Sequence, residues 1–401
     1  MPARSLSTLL GTVSWFETAR QTGPHPARME LRSERTPRPT KVVRAQARGP
    51  PPNRHNKSLE LASVPVSKYL TFHTMPTPRA FITGITGQDG SYLCELLLGR
   101  GYEVHGLVHR PDALPASNIR HLVADANVLN KRLFLHNGAF EDATHLRRII
   151  SKAKPNEFYH LAGQSSPRLS LELPESTVDS IGMATLRLLE ILRDLPEPTK
   201  FLYPSSSEVF GSPMSSPQDE LTPLSPTTPY GAAKAFSQQM ARIYRIAYRL
   251  PTCSAILYNH ESPRRGSGFV SIKIARAAAR IKLGREKELV LGSLEGRRDW
   301  GWAPDYAHGL WLMLQQKNVD DFVLATGELH TVEQLAACAF EHVGLNWRDH
   351  VRQDPALMSS VEPVAACGNP AKAKRLLGWQ NTVPFNEMVA RLVDSELKKQ
   401  P

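Results

Sequence analysis

Tyr230 and Lys234 stand four residues apart in Tyr230-Gly231-Ala232-Ala233-Lys234, so on a helix both side chains project from one face. A free phenol titrates near ~10 and is a poor base at neutral pH. A nearby ammonium group stabilises the phenolate and moves it toward the working pH, which makes the pair a candidate general base with its tuning cation. The same spacing also arises on ordinary helix surfaces, where it is only a solvated pair. What distinguishes it here is Ser205-Ser206-Ser207-Glu208 upstream, directly after an apolar strand. The Ser206 hydroxyl can hydrogen-bond the same substrate oxygen as Tyr230.

A second signal lies near residue 84, where an apolar strand runs into Gly84-Ile85-Thr86-Gly87-Gln88-Asp89-Gly90. Glycines at this spacing permit a tight turn and let backbone N–H groups approach a diphosphate at a helix N-terminus. Gly84, Thr86, Gly87, Gln88, Asp89 and Gly90 are therefore expected to bind a dinucleotide. An oxidised nicotinamide is cationic and would further stabilise the Tyr230 phenolate. The second strand ends in Leu107-Val108-His109-Arg110, with no acid to take a ribose 2′-hydroxyl. Arg110 can instead pair with a 2′-phosphate, so NADP is expected over NAD. The alternative is that Arg110 is a solvated loop charge.

The elements that must position these groups follow a βαβ rhythm. Ala80–Thr83, Val104–Val108, Leu133–His136, Phe158–Leu161 and Phe201–Tyr203 read as strands, alternating with amphipathic helices. That is the pattern of a parallel sheet covered on both faces. Asp142 is placed to cap a helix whose buried face holds Leu146, Ile149, Ile150 and Ala153 and which Pro155 ends. A longer helix follows around Ile181, Leu188 and Leu192. Beyond Asn259 the rhythm becomes irregular. The expected fold is a Rossmann-type, doubly wound α/β sheet over residues 75–258, with a smaller C-terminal α/β substrate-binding lobe over residues 259–401.

Composition bounds the rest. The chain has 401 residues and a formal net charge of +11, which invites a nucleic-acid reading. Residues 1–74, however, hold twelve Lys and Arg against four Asp and Glu, and the remaining residues thirty-seven against thirty-four. The folded part is nearly balanced, so no nucleic-acid partner is expected. No apolar run reaches the roughly 18 residues a membrane span needs. Cys94, Cys253, Cys338 and Cys367 match no C-x-x-C metal or redox spacing, so a reduced, cytoplasmic protein without a metal is expected. Residues 1–74 carry Pro and Arg without a sustained apolar pattern. A disordered arm, a targeting peptide and translated sequence upstream of a start at Met75 all remain open, although Glu17, Glu30 and Glu34 weigh against targeting.

From about residue 79 to 395 the chain resembles the GDP-mannose 4,6-dehydratases of the extended short-chain dehydrogenase/reductase superfamily. The stretches that carry the resemblance are GITGQDGSYL from Gly84, AGQSS from Ala162, SSSEVFG from Ser205 and SPTTPYGAAK from Ser225. They continue with NHESPRRG from Asn259, FVSIKI from Phe269, RRDWGWAPDY from Arg297, ATGELHT from Ala325 and KAKRLLGW from Lys372. NHESPRRG and RDWG are specific to this family, whereas the glycine loop and Tyr-x-x-x-Lys belong to the whole superfamily. The resemblance implies a redox-neutral dehydration of GDP-mannose. Tyr230 takes the 4-hydroxyl proton while C4 gives a hydride to NADP. Glu208 removes the C5 proton made acidic by the 4-ketone and protonates the departing 6-hydroxyl, and hydride returns to C6. Ser206, Glu208, Tyr230 and Lys234 are thus the implied catalytic residues, with Lys234 also on the nicotinamide ribose. His109, Arg110, Leu161, Ala162, Gln164, His260 and Arg265 are implied as further cofactor contacts, and Ser166, Asn259, Lys273 and Arg298 as substrate contacts. A homo-oligomer, dimer or tetramer, is also implied.

The chain departs from the family pattern at several positions. Ser206-Ser207-Glu208 stands where the family has Thr-Ser-Glu, keeping the hydroxyl. Gly138-Ala139-Phe140 replaces Gly-Asp-Leu, removing an acid that faces the adenine. His109 replaces the first of two arginines, and Asn118 replaces an arginine of the loop that helps build the family's tetramer. Ser359 replaces an arginine that contacts the nucleotide. Lys273 has a bland reading as a solvated helix charge, and Asp299 is expected to pair with a neighbouring arginine. The competing functions are another nucleotide-sugar epimerase, dehydratase or 4-keto reductase, and a non-catalytic dinucleotide-binding scaffold. Glu208 weighs against a pure epimerase, and the intact Ser206, Glu208, Tyr230 and Lys234 against a scaffold.

Overall fold

Seven parallel strands organise the molecule in a computed structural model that describes residues 77–357 and 366–399. The basic extension of residues 1–74, Met75 and the position of Ser359 lie outside the described residues. The first strand, β1 (Arg79–Thr83), leads through the glycine loop into α1 (Gln88–Gly99), followed by β2 (Glu103–Val108) and a short α2 (Arg120–Ala124). Then come β3 (Leu133–Asn137), α3 (Ala143–Ala153) and β4 (Glu157–His160). Helix α3 forms as its sequence dictates. The Asp142 carboxylate accepts the His145 N–H at 2.9 Å, and Leu146, Ile149, Ile150 and Ala153 are its buried face.

The single long helix expected around Ile181 is instead built in pieces: α4 (Pro167–Glu172), α5 (Pro174–Val178), a π-helical turn at Asp179–Met183, and α6 (Ala184–Arg193). Pro174 cannot donate to the preceding turn and so starts a new helix. In the π turn the Ile181 carbonyl accepts from the Thr185 and Ser237 hydroxyls as well as from the Ala184 N–H. Next come β5 (Lys200–Ser206), α7 (Pro229–Ala247) and β6 (Thr252–Leu257). Helix α7 has its Pro at the first position and Thr228 as its cap, accepting the Gly231 N–H at 3.0 Å.

The second half comprises β7 (Asn259–Glu261), α8 (Val270–Lys282), β8 (Leu289–Leu291), β9 (Arg297–Arg298) and β10 (Trp300–Trp302). It continues with α9 (Ala303–Gln315), β11 (Phe322–Leu324), β12 (His330–Thr331), α10 (Val332–His342), β13 (Val351–Gln353), α11 (Ala371–Leu377) and α12 (Phe385–Lys398). The main sheet runs β11-β6-β5-β4-β1-β2-β3, all parallel. Consecutive strands leave β1 in one direction and resume at β4 in the other. The crevice between the carboxyl ends of β1 and β4 is the topological switch point where such sheets bind ligands.

Strand β11 comes from the irregular second half and pairs with β6. Leu310, Met313 and Leu314 of α9, with Trp379 behind, share one buried cluster with Leu93, Leu97 and Leu202. The chain beyond Asn259 thus completes the dinucleotide layer as well as forming its own lobe. That lobe has a separate core of Ile274, Ala278, Leu335, Phe340, Val389 and Leu392, drawn from α8, α10 and α12. Among the described residues, no helix is long and apolar enough to cross a membrane, and no cluster of His, Cys, Asp and Glu could hold a metal ion.

Candidate active site

Gly84 has φ +70°, and a Cβ there would lie 2.7 Å from the Ala162 nitrogen. At Gly90 a Cβ would sit 2.2 Å from the Gly84 carbonyl oxygen. Only glycine allows the loop to fold this tightly against β4 and the first turn of α1. That turn has no side-chain cap, so its N–H groups face the crevice as donors for an anion. The cradle fits the diphosphate of a dinucleotide. Thr83 fixes the opposite wall: its hydroxyl accepts the Ala162 N–H at 3.1 Å and meets the His160 ring nitrogen at 2.8 Å. Burial pulls His160 down to about 3, so the imidazole stays neutral and serves only this hydrogen bond.

Asp89 is an acid in the first turn, close to where an anion would lie. Burial alone would raise its pKa, but His260 reverses this and Asp89 falls to about 2. His260 Nε2 lies 3.0 Å from the Asp89 carboxylate and Nδ1 2.7 Å from the Tyr258 carbonyl. Burial lowers the imidazole's pKa, but the charge and hydrogen bond of Asp89 and the bond to the Tyr258 carbonyl together turn the net direction up. The acid is held by a hydrogen-bonded imidazole. Gln88 reinforces the junction, donating to the His260 carbonyl at 3.1 Å and accepting from the Ser262 hydroxyl at 2.8 Å. The glycine loop and β7 are welded by side chains some 170 residues apart in sequence.

The cleft above this junction is lined by Asp89, Leu161, Ala162, Gln164, Ser206, Glu208, Tyr230, Lys234, Asn259, His260 and Arg265, together with Tyr258 and Phe269. Tyr230 and Lys234 lie on one face of α7, with the ammonium 5.6 Å from the phenol ring centroid. Lys234 Nζ donates to the Pro204 carbonyl at 2.7 Å, and burial lowers its pKa to about 8. Burial pushes the Tyr230 phenol up to about 12; the Ser206 hydroxyl bonded to it and the Arg265 charge act in the opposite sense, while Glu208 adds to the rise. Burial also raises the Glu208 pKa, and Arg298 opposes it. The Ser206 side chain accepts the Glu208 N–H at 3.3 Å, ordering the turn that presents both.

Other expected residues fall elsewhere. Lys273 is exposed on α8, and its ammonium donates to the Val290 carbonyl at 2.7 Å. The Ser166 hydroxyl caps α4 through the Leu169 N–H at 3.2 Å, while Ser165 and Pro167 face the cleft on either side. His109 is exposed, and Arg110 pairs at 3.2 Å with Asp112, both largely exposed. Asn118 donates to the Thr86 carbonyl at 3.2 Å, so it braces its own glycine loop. Phe140 packs edge-on against His160, ring centroids 5.3 Å apart. Asp299 does not pair with an arginine as expected: its carboxylate accepts from the Thr326, Gly327 and Gly368 backbone. Tyr258 and Phe269 were not expected in the cleft: Tyr258 directly follows Thr252–Leu257, which was not read as a strand, and Phe269 stands at the N-cap of α8.

The family model described as GDP-mannose 4,6 dehydratase matches residues 81–392. The chain belongs to the GDP-mannose 4,6-dehydratase family. It is 45% identical to GDP-mannose 4,6 dehydratase 1 of Arabidopsis thaliana over 328 residues, covering 80% of this chain and 91% of that protein. It is 41% identical to the GDP-mannose 4,6 dehydratase of Homo sapiens, covering 81% and 93%. Among solved structures, a dTDP-glucose 4,6-dehydratase of Streptomyces venezuelae with NAD bound is similar at TM-score 0.70 and 24% identity, covering 80% of this chain and 98% of that one. A Thermotoga maritima UDP-glucose 4-epimerase is similar at TM-score 0.69 and 23% identity, covering 80% and 100%. At these identities the solved structures speak for the fold; the family membership rests on the sequence relatives.

Proposed function

We propose that this protein converts GDP-mannose to GDP-4-dehydro-6-deoxy-mannose, using NADP held between the glycine loop and the Thr83–Ala162 wall. The observation that carries the reading is a half-buried carboxylate, Glu208, in the same cleft as the Ser206–Tyr230–Lys234 group. An epimerase working at C4 needs no second base, whereas dehydration across C5 and C6 does. Bound NADP would supply the hydride chemistry, accepting from C4 and giving back at C6. Tyr230, as the phenolate that the surrounding cations and the Ser206 hydrogen bond favour, removes the 4-hydroxyl proton. Glu208 then takes the C5 proton, which the 4-ketone has acidified, and passes it to the 6-hydroxyl as water leaves; once hydride is back on C6, C5 takes up a proton that originates in solvent. Its raised pKa suits a group that must first accept and then donate a proton. Asn259 and Arg298 are read as contacts to the GDP portion, and His260 and Arg265 as contacts on the cofactor side.

Incubation with GDP-mannose is the direct test. A 4-keto-6-deoxy product without net formation of NADPH is expected. A C4 epimer with its 6-hydroxyl intact, or stoichiometric consumption of NADPH, would replace this reading with an epimerase or a reductase.

The preference for NADP rests on the end of β2, where His109 and Arg110 follow Val108 and no acid intervenes. The exposed Arg110–Asp112 pair is worth little and yields readily to a 2′-phosphate. NADP should bind about tenfold or more tightly than NAD, and Arg110→Ala should narrow that ratio. Equal affinities in the parent protein, measured by fluorescence titration, would remove Arg110 from the 2′-phosphate.

A further inference from the structure

Asp299 is 1% exposed and lies between β9 and β10. One of its carboxylate oxygens accepts the Thr326 N–H at 2.8 Å and the Thr326 hydroxyl at 2.7 Å. The other accepts the Gly327 N–H at 2.9 Å and the Gly368 N–H at 3.3 Å. A single buried charge thereby gathers the exit of β11 and the segment at residues 366–368, which are far apart in sequence. A charged acceptor suits this position because every group aimed at it is a donor, and such bonds are roughly twice as strong as neutral ones.

The neighbouring residue shows what the gathered strands hold. Arg298 is paired through its backbone with His330 of β12 on one side and bridged to Ala366 on the other. Arg298 is half-buried, its guanidinium donates to the Arg297 carbonyl at 2.8 Å, and its charge opposes the rise in the Glu208 pKa. The same segment is also tied to the cleft wall: the Gln218 N–H donates to the Cys367 carbonyl at 2.8 Å, and the Tyr258 hydroxyl donates to the Gln218 side chain at 2.9 Å.

We propose that Asp299 is a positioning residue for the nucleotide portion of the substrate: it closes the seam that holds the Arg298 backbone beside the cleft wall, and so governs binding of GDP but not of the dinucleotide. The proposal rests on the reading of Arg298 as a contact to the GDP portion. Asn at this position would keep the shape but offer donors where donors already converge.

The experiment is calorimetric titration of the full chain with GDP and, separately, with NADP. Asp299→Asn should lose about tenfold or more in GDP affinity while NADP affinity stays within about twofold. Arg298→Met should lose a similar amount, and the double variant should bind GDP no more weakly than Arg298→Met alone, since both act through one contact. Parental GDP affinity in Asp299→Asn, an equal loss for NADP, or additive losses in the double variant would overturn the proposal. Thr326→Val removes one donor and should show the same split at about threefold; parental GDP affinity there counts against the proposal even if Asp299→Asn cannot be folded. A parent protein that does not bind GDP would remove the functional reading itself, and this proposal with it.

Discussion

Glu208→Gln should form reduced cofactor from GDP-mannose in a single turnover and then stop. The amide keeps the size of the side chain and its place after Ser206, so the group that initiates oxidation is intact. What is lost is the base for C5 and, with it, the acid for the 6-hydroxyl. Loss of a positioned acid or base costs about 10²–10⁴ in rate, so the 4-keto-6-deoxy product should be nearly absent. Deuterium from heavy water should fail to enter C5. Absorbance of the reduced nicotinamide and mass analysis of the sugar read the two halves separately. Parental turnover in this variant would remove Glu208 as the eliminating base, and with it the chemical argument for dehydration over epimerisation.

Tyr230→Phe should stop earlier. The phenol is buried beside Ser206 and Glu208, and its pKa stands at about 12; in the protein alone it is a neutral hydroxyl. It becomes a base as cationic charge accumulates around it, and the phenyl ring has no proton to exchange at all. No reduced cofactor should build up, and the overall rate should again fall by about 10²–10⁴. The contrast with Glu208→Gln lies in where each variant halts. If both halt before reduction of the cofactor, the two residues act in one step and the division of labour between them is wrong.

Much of this site was legible in the sequence because its signals are local. The glycine spacing reports a turn that tolerates no Cβ, and the four-residue interval of Tyr230 and Lys234 reports one helix face. The Asp142 cap and the buried face of α3 are likewise written within a dozen residues. Less legible were elements whose reason for existing is tertiary. Thr252–Leu257 is buried on both faces, so it shows no alternation, and the three residues of β11 are too short to carry a pattern. The partners of Asp299 are backbone N–H groups 27 and 69 residues away, which no side-chain type announces. Lys273 and Ser166 show local bonds that the sequence did not announce: one ammonium donates to a carbonyl of the adjacent strand and one hydroxyl caps a helix. The pairing of Asp89 with His260 was equally invisible, because it depends on how two halves of the chain meet.

The return of the chain after Asn259 bears on how such a protein can change. Residues 259–302 leave the main sheet, supply Asn259, His260 and Arg265 to the cleft, and are followed by α9 and β11, which rejoin it against α1 and β6, before the chain leaves again for α10 and α12 of the second core. The second lobe is interleaved with the sheet, not appended to it. A recombination event that exchanged everything beyond residue 258 would also replace the seventh strand of the sheet and a helix packed on its core. Substitutions confined to the cleft leave that shared interior untouched.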